Sequence, residues 1–121
     1  GFTTDVCVPI SRLTECILET KKDLEESEIL APLVGHVGDG NFHLIMLLDP
    51  NNNEEVAKAK KFNEKLIDRA LEMGGTSTGE HGIGLGKKDC LIKEQGLSIE
   101  FMKNIKKALD PKNIMNPGKI F

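Results

Sequence analysis

The stretch ILAPLVGHVGDGNFHLIMLL, residues Ile29 to Leu48, decides the architecture. Two apolar runs, Ile29 to Val37 and Asn41 to Leu48, flank a glycine cluster, and that arrangement reads as two antiparallel strands of a hairpin. His36 and His43 would share a helix face, but Gly35, Gly38 and Gly40 argue against a helix. With Asp39-Gly40 as a two-residue turn, Gly38 faces Asn41, Val37 faces Phe42 and His36 faces His43 directly across the ladder. Paired in this way, the two side chains start from Cβ atoms ~4.5 to 5.5 Å apart on one face.

Outward from the hairpin, Phe2 to Val8 is rich in β-branched residues and stops at Pro9, which predicts a strand. Ser11 is a plausible N-cap for a helix over roughly residues 11 to 26, with Leu13, Cys16, Ile17 and Leu24 at helical spacing. After the hairpin, Asn51, Asn52 and Asn53 offer caps. The apolar stripe Val56, Ala59, Phe62, Leu66, Ala70 and Met73 then predicts a long helix ending at Gly74-Gly75. Shorter helices are expected over Lys87 to Gln95 and Ser98 to Leu109, the latter stopped by Asp110-Pro111. The order strand, helix, strand, strand, helix predicts an α+β fold. It is a ferredoxin-like split βαβ unit, an antiparallel sheet covered by helices, with a helical C-terminal extension. The closing strand of such a unit is not evident; its two candidate locations are a part of the longer protein outside this chain and the stretch around Thr76 to Gly79.

The length of 121 residues leads to the expectation of a single domain, 1–121, and a beginning inside a strand to that of a piece of a longer protein. The hydrophobic fraction of 39% and charged fraction of 29% are those of an ordinary globular chain, and no apolar run approaches a membrane span. A net charge of −3, with lysines interspersed among acids, excludes a nucleic-acid-binding stripe. Cys7, Cys16 and Cys90 are odd in number and lack Cys-x-x-Cys spacing, which argues against a disulfide framework and points to a reducing compartment.

Nine of the twelve glycines fall in residues 35–40 and 74–86, and the three histidines lie in or beside those windows. The second window, Thr78-Gly79-Glu80-His81-Gly82-Ile83-Gly84, sets a carboxylate and an imidazole side by side in backbone too glycine-rich to be regular. His36, His43 and Glu80 together make a two-histidine, one-carboxylate donor set that leaves metal positions open for substrate, with His81 diverging from Glu80 to point at the bound substrate. The alternatives are a metal-free cross-strand histidine pair and a solvated Glu-His loop. Phosphate-loop patterns fail, since positions 87 and 89 are Lys and Asp where G-x-G-x-x-G needs glycine, and a Walker A loop fails with His at 81 and Lys at 88. The cysteines sit in apolar, element-like segments that do not suit a nucleophile.

The GHVGDGNFH run, the GEHGIG run and the closing NPGK resemble, in order, signatures of FAD-linked oxidases of the vanillyl-alcohol-oxidase type, specifically their C-terminal substrate or cap domain. The resemblance extends over essentially the whole chain, and FTTDVCVPISRL, Phe2 to Leu13, is most similar to the mitochondrial D-lactate dehydrogenase branch. The resemblance implies a mitochondrial flavoprotein that oxidises a D-2-hydroxy acid, with hydride passing to an FAD held mainly by a separate FAD-binding domain of the same polypeptide. It implies zinc or manganese on His36, His43 and Glu80, His81 as the base, and Asn116 near the flavin. Hydroxyglutarate dehydrogenases resemble this chain but carry Asn at the position of Ile45 and Lys near that of Thr3, so the resemblance favours D-lactate over a second carboxylate. D-2-hydroxyglutarate, glycolate, a non-catalytic metal-braced module and a flavin-free metallohydrolase are the competing readings.

Overall fold

The computed structural model describes all 121 residues and divides them into two compact units, Gly1–His81 and Gly82–Phe121.

The first unit contains β1 (Phe2–Thr3), β2 (Val6–Cys7), α1 (Ile10–Ser27), β3 (Leu33–His36), β4 (Asn41–Met46) and α2 (Asn53–Glu72). β4 is the central strand. It pairs antiparallel with β1 and β2 along one edge and with β3 along the other. β1 and β2 are halves of one strand, because Phe2↔Met46 and Val6↔Phe42 keep the same register across the Thr4-Asp5 break. The expected fourth strand survives as a single antiparallel bridge from Thr76 to the outer edge of Cys7. With that bridge, the strand order is that of the ferredoxin-like unit, and the fold is α+β as the pattern implies.

Alternation along β4 separates two roles. Phe42, Leu44 and Met46 are fully buried and join Val6, Leu13, Cys16, Phe62, Leu66 and Ala70 in the core. Asn41, His43 and Ile45 point to the other face, where a buried Asn and a buried His need polar partners. α2 starts as its asparagines predict: the Asn52 side chain accepts from the Glu54 and Glu55 N–H groups. α1 begins without a side-chain cap. Pro9 is its N-cap and Ser11 lies inside the helix, in contrast to the expected Ser11 cap. Between the two helices, Asp23 accepts from Lys65 Nζ at 2.6 Å and also pairs with the Arg69 guanidinium.

The hairpin turn is longer than the sequence grammar suggests. Val37–Asp39 form a 3-10 turn closed by Gly40 at φ 77°, so His36 pairs with Asn41 and His43 with Val34. The regular part of β3 is shorter than the expected Ile29 to Val37. Pro32 has no N–H to give, although the carbonyls of Pro32 and Leu30 still accept from Ile45 and Leu47.

The second unit holds α3 (Lys88–Gln95) and α4 (Ser98–Leu109). Asp110 ends α4 and organises the turn after it, accepting from Ile114 N at 3.0 Å, Met115 N at 2.9 Å and the Lys106 ammonium. Leu97, Phe101, Ile105 and Leu109, one helical turn apart, are all exposed. The three cysteines are free thiols, and no helix is long and apolar enough to cross a membrane.

Candidate metal centre

The first unit gathers His36, His43, Glu80 and His81. His36 and His43 are not directly opposed as the two-residue turn would have it. The longer turn makes them diagonal neighbours on one face of the hairpin, with ring centroids 6.5 Å apart. Glu80 reaches both: His43 Nε2 lies 2.9 Å from its Oε1 and His36 Nε2 lies 3.6 Å from its Oε2. His81 stacks flat on His43, centroids 4.6 Å apart and planes 11° off parallel, with its Nε2 3.7 Å from Glu80 Oε1. His43 is buried, whereas His36, Glu80 and His81 are exposed, so the centre opens to solvent on one side.

The residue that makes this possible is Asp5, which the sequence reading passed over. The β1/β2 register sets it opposite His43, and it is 1% exposed. Oδ2 accepts from Thr78 Oγ1 at 2.7 Å, Glu80 N at 3.1 Å and His81 N at 2.8 Å; Oδ1 accepts from Asn41 Nδ2 at 2.8 Å. Burial pushes its pKa up, but the bonds from Thr78, His81, Asn41 and Glu80 outweigh burial and hold it far below the usual carboxylate range. Asp5 thus staples the Glu80-His81 backbone to the sheet. Gly79 is required beside it, since a methyl group there would overlap the Asn41 amide. The clue in the sequence was an acid in mid-strand, flanked by Thr4 and Val6, where burial of a charge demands a purpose.

Asp5, His43 and His81 lie close enough to be taken as a ligand triplet of their own. The hydrogen bonds decide against it: the Asp5 oxygens are occupied by N–H and O–H donors, whereas those of Glu80 face histidine nitrogens. The donor set His36, His43, Glu80 does fit a divalent cation. His43 Nδ1 lies 3.1 Å from the Thr4 carbonyl, which can only accept; a ring protonated there presents its Nε2 lone pair toward Glu80. That buried Nε2 has no aligned hydrogen bond although it lies 2.9 Å from a carboxylate oxygen. Imidazole and carboxylate donors at that separation are a set that suits a divalent cation such as zinc or manganese.

Ile45, half-buried, lies two residues beyond His43 on the same face and is paired with the exposed Thr3. Asn116 belongs to the second unit; it is exposed, at φ 48°, in the turn whose Lys119 N–H donates to its carbonyl.

Residues 1–120 match the family model "FAD linked oxidases, C-terminal domain". The chain is 58% identical over 99% of its length to the probable mitochondrial D-lactate dehydrogenase of Danio rerio, covering 24% of that protein. It is 49% identical to the mitochondrial D-lactate dehydrogenase [cytochrome] of Arabidopsis thaliana, covering 99% of this chain and 21% of that one. The corresponding figures for D-lactate dehydrogenase [cytochrome] 1 of Saccharomyces cerevisiae are 46%, 99% and 20%. The chain therefore spans a fifth to a quarter of the length of the curated relatives it matches, and it belongs to the C-terminal domain family of the FAD-linked oxidases.

Proposed function

We propose that this chain is the substrate- and metal-binding part of a mitochondrial flavin-dependent dehydrogenase that oxidises D-lactate, or a related short D-2-hydroxy acid, to the 2-oxo acid. The observation that carries the reading is the convergence of three imidazole Nε2 atoms on the Glu80 carboxylate, within 3.7 Å, in a domain of this family. A divalent ion on His36, His43 and Glu80 would supply Lewis acidity toward the substrate's hydroxyl and carboxylate, and FAD, held mainly by an FAD-binding domain, would accept the hydride. His36 and Glu80 lie at the solvent side and would be reached first by an entering anion, while His43 is fixed in the sheet. His81, held by its own N–H to Asp5 and by its stack on His43, takes the hydroxyl proton at Nε2. Thr3 and Ile45 put two uncharged side chains on the substrate face, which suits the methyl of lactate and offers nothing to a second carboxylate. Asn116 is the residue of the second unit assigned to the flavin.

One distance favours a second reading. His81 Nε2 is 3.7 Å from the same Oε1 that faces His43, so His81 as a fourth ligand would close the centre into a structural site. A panel of D-2-hydroxy acids assayed by dye reduction on the full-length flavoprotein, with elemental analysis, tests both. We expect D-lactate to exceed D-2-hydroxyglutarate and glycolate in kcat/KM, and His81→Gln to keep the metal while flavin reduction falls at least ~100-fold. Metal-free active enzyme sinks the catalytic-metal reading, and loss of metal in His81→Gln favours the closed site.

A further inference from the structure

The geometry points to Thr4 as a positioning residue for His43: its hydroxyl draws the Leu44 N–H out of the strand ladder, leaving the Thr4 carbonyl to fix the ring as its Nδ1–H tautomer. The assignment rests on the proposed metal reading only for what Nε2 then binds.

The argument begins with the break between β1 and β2. The common register places Thr4 opposite Leu44 as a hydrogen-bonded pair, which in an ordinary antiparallel ladder exchanges both N–H···O bonds. One of the two is present, from Thr4 N to the Leu44 carbonyl at 3.0 Å. The other has moved: Leu44 N donates to Thr4 Oγ1 at 2.9 Å. The carbonyl that would have received it faces the imidazole instead, 3.1 Å from His43 Nδ1. Asp5 Oδ1, 3.5 Å from the same nitrogen, adds a negative charge that also favours a proton there. The opposite tautomer would set a lone pair on Nδ1 against a carbonyl and a carboxylate; its Nε2–H would donate to Glu80 Oε1, 2.9 Å away, and would offer a metal no lone pair. A hydroxyl and its carbonyl on one residue thus exchange duties, and the exchange turns a structural strand position into a tautomer lock. Such partners of a ligating histidine typically govern metal affinity by ~10- to 100-fold.

The substitutions separate the hydroxyl from the shape. Thr4→Val is nearly isosteric and lacks the acceptor, so the Leu44 N–H reclaims the main-chain carbonyl; Thr4→Ser keeps the acceptor. The test is [15N]histidine NMR on the full-length protein without metal at pH 8, about 1.5 units above the ordinary imidazole pKa, with His43 identified by difference against His43→Gln. Wild type and Thr4→Ser should show His43 as pure Nδ1–H, and Thr4→Val a mixture of tautomers. Zinc titration should show affinity falling ~10- to 100-fold in Thr4→Val and restored in Thr4→Ser. An Nε2–H ring in wild type overturns the assignment whatever the variants do, as does a Thr4→Val protein that retains pure Nδ1–H. If the tautomers behave as expected but zinc never binds, the lock stands and the metal reading falls.

Discussion

Replacing Asp5 with Asn should release the Glu80-His81 segment from the sheet, and the size of the effect follows from the four hydrogen bonds drawn above. The new amide has one acceptor oxygen for two clusters of donors. Facing Thr78, Glu80 and His81, that oxygen keeps three bonds but turns its NH2 toward the Asn41 amide; reversed, it opposes three donors. In the better orientation one buried donor pair clashes, costing ~1 to 3 kcal/mol, and three bonds lose charge assistance at about 1 kcal/mol each. Relief from holding a buried carboxylate returns part of this. We take the net as about 3 kcal/mol, which is about a hundredfold in the opening equilibrium of the segment. The assay is amide hydrogen exchange at Glu80 and His81, whose N–H groups both donate to Asp5. Protection in Asp5→Asn within about threefold of wild type would refute the claim that Asp5 holds the segment.

Three further outcomes are expected. His36→Ala should remove stoichiometric zinc while leaving the unfolding free energy within ~0.5 kcal/mol, because His36 is exposed; His43→Ala should remove the metal and also cost about 2 kcal/mol, because its ring is buried against Thr4. Asp23→Asn should destabilise by about 2 kcal/mol at pH 7, as judged by denaturant unfolding. Burial raises the Asp23 pKa, but Lys65 and Arg69 lower it more, to below the ordinary 3.8; its contribution is therefore present above that value and lost as pH falls through the lower folded one, so the wild-type advantage should shrink by pH 2.5. Gly79→Ala should weaken zinc binding at least ~10-fold by calorimetry with little change in helix content, since the new methyl group displaces the segment from Asn41.

The parts of the fold that were legible rest on local signals. The Asn52 cap and the Ala59, Phe62, Leu66, Ala70 stripe fall within one element, and glycines bracket the hairpin, so neighbouring residues suffice to read them. The turn was misjudged by two residues, since Asp39-Gly40 satisfies a tight turn equally well and only the 3-10 winding of Val37–Asp39 excludes it. The gathering of His36, His43, Glu80 and His81 was anticipated from two glycine-rich windows. Asp5 and Thr4 were not, because their part in the site depends on pairing with residues about forty positions away, a choice made by packing. Nor does local sequence show that a threonine will give its hydroxyl to the ladder.

The position of β4 between a near and a distant partner also orders events in time. The β3 hairpin closes across four residues, whereas the strand of Thr4 and Asp5 must close a loop of more than thirty, and short loops close in well under a microsecond while distant pairings follow more slowly. We therefore expect a nascent chain to hold His36 and His43 near each other before either Thr4 or Asp5 arrives. A cation captured at that moment would meet a ring free to offer either nitrogen, and the docking of the first strand would then select among ions already loosely held. On the metal reading proposed above, late strand addition would make the fidelity of metal loading a property of the folding pathway as well as of the finished site.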